Sequence, residues 1–171
     1  MHATKQLTVQ LDTREDPAIP PFGFVIDYLT YGGLYREVWL EATAESRLTD
    51  LFVYTPTLHD AVVQWTAELT PAAATVRIRL ETTDGTLLAE QTAQAAETGK
   101  MQLSVQDAQP WDIEHPVLHY AVAELLNAAG QPIDRKQVTF GFRTAEFRAD
   151  GFYLNGKKTF LRGLNRHQSF P

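Results

Sequence analysis

The sequence predicts an all-β protein, an immunoglobulin-like antiparallel β-sandwich with incomplete β flanks. Three observations carry that expectation. Apolar and polar residues alternate with a period of two in one segment after another, as in Val63, Trp65, Ala67 and Leu69 or Val76, Ile78 and Leu80. Turn signals separate these segments at intervals of about 8–12 residues. Almost nothing carries the three-and-four spacing of an amphipathic helix.

The elements follow in chain order. Residues 1–45 hold one alternating strand, Leu7 to Leu11, then a proline-rich loop from Pro17 to Pro21 and a second strand near Tyr35 to Leu40. Two strands alone cannot bury their apolar faces. Residues 46–143 hold seven expected strands, near 48–56, 62–69, 74–82, 86–94, 100–106, 117–127 and 134–142. That number over about 100 residues suits an immunoglobulin-like sandwich. Trp65 is expected in its core. The small, polar run from Ala89 to Glu97 reads as an edge strand, and Tyr120 stands where such sandwiches place a corner tyrosine. Asp84-Gly85, Thr98-Gly99, Ala129-Gly130, Asp150-Gly151 and Asn155-Gly156 read as turns. Residues 144–171 read as one hairpin and an apolar strand running to Pro171.

Composition excludes several classes. The 171 residues contain no cysteine, which removes disulfides, thiolate metal sites and cysteine nucleophiles. No apolar run approaches the roughly 20 residues of a membrane helix, and MHATKQLTVQ has no secretory pattern, so a cytoplasmic location is expected. The net charge is −6, which disfavours nucleic acid as a partner. The last thirty residues reverse the sign, with six basic side chains against two acidic ones. Their interleaving with a strand pattern reads as a solvated face. His115 and His119 lie four apart without a third ligand nearby, a poor basis for zinc.

Three strings resemble the glycoside hydrolases of family 2. They are IPPFGFVIDYLTYGGLYREVWLEA from Ile19 to Ala42, the PW…HPVLHYAVAELLNAAG stretch from Pro110 to Gly130, and FGFRTAEFRADGFYLNGKKTFLRGLNRHQSFP from Phe140 to Pro171. The third is the most specific, with an F-G-F-R strand end, an N-G-K turn and R-G-x-N-R-H. The wording is most like the bacterial β-galactosidases of that family. The resemblance implies three parts: residues 1–45 as the end of a jelly-roll sugar-binding domain, 46–143 as the sandwich, and 144–171 as the lead-in hairpin and first strand of a (β/α)8 barrel. A barrel takes about 250 residues. The expectation is therefore a linker-domain fragment that does not hydrolyse a β-galactoside alone, because the resemblance places both catalytic glutamates on later barrel strands. The parent would be a retaining enzyme using two carboxylates about 5–5.5 Å apart.

The resemblance also implies site residues. Asp27 matches the family aspartate that accepts hydrogen bonds from sugar hydroxyls and, in some members, binds sodium. Without the surrounding string it reads as an Asx-type loop residue. His167 matches the histidine of R-G-x-N-R-H, at the strand end where barrel sites form. Asn165 shares its face by strand alternation, while Arg162 and Arg166 read as structural ion-pair formers. Family members often carry Glu and then His after this histidine; here Gln168 and Ser169 stand instead, which removes one sugar contact. Trp111 resembles a loop tryptophan that pins the chain before the sixth strand, with a sugar-stacking platform as the alternative. No cofactor is expected in this chain, and sodium and magnesium in the parent. The expected partners are a β-galactoside and the rest of the parent, with neither nucleic acid nor membrane, and self-association through exposed flanking strands. The competing expectation is a free-standing carbohydrate-binding or adaptor sandwich. That reading needs an exposed apolar or aromatic patch or a groove with stacked aromatics, and the sequence argues against it because Asp27 and His167 lie in segments outside the sandwich.

Overall fold

The computed structural model describes residues 6–12, 14, 33–34 and 36–165. The chain divides into two compact units, residues 1–41 with 162–171 and residues 42–161. All ten described strands lie in the second. Among the described residues there is no helix.

Seven strands build the sandwich: β1 (Arg47–Tyr54), β2 (Asp60–Glu68), β3 (Thr75–Thr82), β4 (Leu87–Gln94), β5 (Thr98–Ser104), β6 (His119–Leu126) and β7 (Pro132–Phe140). They form two antiparallel sheets, in the orders β1-β2-β5 and β4-β3-β6-β7. The period-two pattern sets the registers. Trp65 pairs with Leu51, and Ile78 with Ala123, so inward residues of neighbouring strands meet, while Gln91, opposite Ile78 on the edge strand, stays exposed. Leu51, Val63, Trp65, Val76, Ile78, Leu80, Met101, Leu103 and Leu125 fill the space between the sheets. Each such side chain contributes about 1.5–3 kcal/mol by leaving water. The run Ala89–Glu97 supplies most of β4, at the edge of the four-stranded sheet, as expected.

The hairpins close as their residues require. In the β6–β7 turn Asn127 Oδ1 accepts hydrogen bonds from the Ala129 and Gln131 amides at 2.9 Å each, and Gly130 has φ 76°. In the β3–β4 turn the Asp84 carboxylate accepts from the Thr82 hydroxyl and the Thr86 amide, which holds its pKa below the ordinary value. Thr98-Gly99 is not a turn. It opens β5, and the glycine is there because the Trp65 ring occupies the space of a side chain.

Two polar features depart from simple alternation. Glu124 points away from the core yet is 7% exposed, because Arg77 and Arg79 close over it. Arg77 donates to its Oε2 at 2.9 and 2.7 Å, and Arg79 approaches Oε1 at 3.4 Å. The arginine stems also lie along the outward face that hides Val122. His119 is buried at the start of β6, its ring 5.1 Å from Phe142 and 5.8 Å from Phe140. Its Nδ1 has no hydrogen-bond partner, and burial pushes its pKa below the ordinary histidine value. The unfolded chain therefore binds this proton more readily than the native one. Stability is expected to fall as pH drops below about 6.5 and to level off beneath the lowered native value. His119→Phe should flatten that window in urea titrations at pH 7.5 and 5.5. An unchanged slope would assign the window to other groups. Asp60, Asp84, Asp112 and Asp150 have lowered pKa values and act at lower pH, where stability is lost as they protonate.

The flanks differ from expectation. Neither expected N-terminal strand forms among the described residues: 6–12 and 36–44 are without strand. A strand exists through its ladder, and no described segment pairs with these. Leu7, Val9, Leu11, Val38 and Trp39 are accordingly exposed. The expected C-terminal hairpin is instead a three-stranded sheet of β8 (Ala145–Arg148), β9 (Gly151–Leu154) and β10 (Lys157–Lys158). Residues 159–165, where an apolar strand was expected, also lack a ladder, and Phe160 and Leu164 are exposed.

Candidate functional site

The expected sugar contacts are not assembled among the described residues. Asp27 and His167 lie outside them, as do Arg166, Gln168 and Ser169. Asn165 and Arg162 are described; both are exposed and outside any strand. What the structure does define is the joint that carries the chain from the sandwich toward them.

That joint is built around Trp111. Pro110 forms a parallel bridge with Phe142, and the Trp111 amide donates to the Phe142 carbonyl at 2.8 Å. Gly141 lies against the indole so closely that a Cβ there would stand 2.6 Å from Trp111 Cβ. The Arg143 guanidinium sits 4.7 Å from the ring centroid, a cation–π contact. Asn155 ties the joint to the small sheet. Its Nδ2 donates to the Trp111 carbonyl at 2.9 Å, and its Oδ1 accepts from the Thr144 amide at 3.0 Å. Asn155 and Gly156 have φ of 51° and 76°, as the tight turn between β9 and β10 demands. Thr55, after β1, donates its hydroxyl to the Arg143 carbonyl at 2.6 Å. Trp111 thus takes the pinning role expected of it, with Arg143 spread over its ring. Arg143 and Asn155 were not singled out by the sequence. Asn155-Gly156 signals only a turn, and nothing in the pattern announces a side-chain amide reaching a loop 44 residues away.

The same loop is shaped by Asp112. Its Oδ1 accepts from the Glu114 amide at 2.8 Å and the His115 amide at 2.6 Å. The His115 backbone contact is the main cause holding its carboxyl below the ordinary pKa. The His115 side chain is exposed, whereas His119 lies in the core. Among the described residues no group of three or more His, Cys, Asp or Glu side chains is placed to hold a metal.

The small sheet has two faces. Glu146, Arg148, Tyr153 and Lys158 share one. Asp150 accepts from the Tyr153 hydroxyl at 2.8 Å and from Lys158 at 3.0 Å, and these two lower its pKa in that order. Phe147 and Phe152 pack together on the other face, 5.1 Å between centroids and tilted by 48°. A cavity of about 660 Å³ follows β9 and β10 and is lined by Phe147, Phe152, Phe160 and Leu161 among others. Of the two carboxylates on this sheet, Asp150 is engaged by Tyr153 and Lys158 and Glu146 by Arg148.

Comparison with known proteins matches residues 46–143, which span the whole seven-stranded sandwich, to the model of glycosyl hydrolases family 2. A β-galactosidase of Rhizobium meliloti is 37% identical over 177 residues, covering 96% of this chain and 23% of that protein. A β-galactosidase of Thermoanaerobacter pseudethanolicus is 35% identical over 174 residues, with the same two coverages. Among solved structures, the β-glucuronidase from Ruminococcus gnavus in complex with D-glucuronic acid superposes with a TM-score of 0.65. The identity is 28%, over 81% of this chain and 23% of that one. The chain spans about a quarter of the length of the curated relatives it matches.

Proposed function

The chain belongs to glycosyl hydrolases family 2, and from that membership we propose that it is a non-catalytic sandwich linker of a retaining β-galactosidase. The alignment carries this reading: similarity to β-galactosidases runs through 96% of the chain but only about a quarter of theirs. The joint at Trp111, Arg143 and Asn155 supports it, since a linker must fix the direction in which its neighbour leaves. In this reading residues 1–45 close a sugar-binding jelly roll and residues 144–171 lead into a barrel. Asp27, Asn165 and His167 then contact one sugar, and hydrolysis is done by two carboxylates elsewhere. Holding those contacts in place lowers the barrier because orientation is settled at binding.

Sodium at Asp27 belongs to the same proposal. A hard cation takes about six or more oxygen ligands, so Asp27 would hold it only with others from the longer protein, and magnesium would likewise draw its ligands from there. A cytoplasmic location and self-association through unpaired flanking segments are proposed on the sequence alone.

The test is hydrolysis of a chromogenic β-galactoside by this chain beside the full-length protein. The expected result is turnover by the full-length protein only, with His167→Ala there reducing kcat/KM about 10²-fold or more. Turnover by the 171-residue chain would place two working carboxylates within it and overturn the reading. An inactive full-length protein on β-galactosides that cleaves β-glucuronides would move the substrate.

A further inference from the structure

The outward face of the β1-β2-β5 sheet is not the plain solvated face that alternation suggests. In β1 the inward residues Leu51 and Val53 alternate with Phe52 and Tyr54, which are 54% and 42% exposed. Their rings lie side by side, 6.2 Å between centroids and 32° between planes. The register sets Gln64 and then Lys100 across from Phe52. It sets Thr66 and then Thr98 across from Asp50. Between these rows the face dips into a groove of about 380 Å³, lined by Asp50, Phe52, Gln64, Thr66, Thr98 and Lys100 among others. That volume is within the usual range for small-molecule sites, roughly 300–1,000 Å³.

The chemistry of this lining selects its occupant. The exposed Phe52 ring, which lines the groove, offers an apolar face, with the Tyr54 ring next to it along β1. A carboxylate, an amide, two hydroxyls and an ammonium stand within one or two strands of it. A pyranose matches both, with C–H groups on one flat face and hydroxyls around its rim that donate and accept. A protein interface centre is depleted of charged side chains, whereas Asp50 and Lys100 flank this groove. Their opposite charges favour neither a cationic nor an anionic ligand.

We propose that this face is a binding site for one or two residues of a neutral pyranoside. The site needs neither the hydrolytic machinery nor the longer chain, so the hydrolysis experiment above does not decide it. Its test is an amide-resolved NMR titration of the 171-residue chain with lactose, with glycerol as a control that has hydroxyls and no flat face.

Lactose should shift the amides of Phe52, Gln64, Thr66 and Lys100 with a Kd in about the millimolar range. Phe52→Ala should weaken binding about tenfold. Phe52 is outside the core, so the variant should keep its fold, and unchanged dispersion elsewhere in the spectrum would show this. Gln64→Ala should weaken binding with both rings in place. Phe147→Ala, which removes an exposed ring on the small sheet, should leave the affinity unchanged. The proposal is overturned if these amides do not respond to lactose. Equal shifts with glycerol would overturn it too. So would concentration-dependent shifts without sugar, which would make the face a contact between copies.

Discussion

Gly99→Ala is expected to destabilise the chain by about 3 kcal/mol, at the upper end for an overfilled core. A Cβ on Gly99 would lie 2.7 Å from Cε2 of Trp65 and nearer still to Cζ2 and Cη2. The indole has little freedom to yield. It is 4% exposed, and its Nε1 donates to the Ala96 carbonyl at 3.1 Å. Trp65→Ala alone should cost about 4 kcal/mol through lost burial and the cavity left behind. The two changes should not add. Once the ring is gone the methyl introduced by Gly99→Ala has room, so the double variant should be close to Trp65→Ala in a urea titration. Additive losses would mean that Gly99 matters for its backbone and not for the space it leaves.

Phe142→Ala is expected to cost about 4 kcal/mol and to reach beyond the sandwich. Phe142 is fully buried, edge-on to Phe140 at 5.0 Å and to His119 at 5.1 Å. Its carbonyl accepts from Trp111, and the carbonyl of Trp111 accepts from Asn155. Loosening Phe142 therefore loosens the anchor of β8, β9 and β10. Amide hydrogen exchange in that small sheet should accelerate more than global unfolding requires. Val76→Ala, which trims an equally buried residue on β3, should lower stability without that selective effect. Equal behaviour of the two variants would show that the small sheet is held independently of Phe142.

The sandwich was legible because its strands are amphipathic. Each of the seven expected sandwich strands lies within two residues of an observed one at both ends. Trp65 was placed in the core on the same grounds, and Ala89–Glu97 at an edge by its small, polar composition. Thr98-Gly99 was misread because a glycine can serve a turn or a close approach, and only the Trp65 contact distinguishes them. Glu124 was hidden for a related reason. Alternation puts it in water, and its burial depends on two arginines on a strand 45 residues away. The flanking strands failed because alternation reports a face to bury but not the partner that buries it. The candidate contacts were legible in another sense. Asp27 and His167 were marked by their resemblance to a family, not by any physical pattern, and both lie outside the described residues.

The seam between β1 and β7 has a mechanical meaning. The Leu48 amide donates to Asp134 at 2.8 Å, Lys136 donates to the Thr49 carbonyl at 2.7 Å, and Thr55 to the Arg143 carbonyl at 2.6 Å. The partners ascend together along the sequence, so the first strand and the last run side by side in the same direction. The chain enters the sandwich beside one end of this seam and leaves it beside the other. A pull between entry and exit would load the three bonds together in shear, instead of opening them one by one. The seam therefore acts as a strut between the two ends of the sandwich.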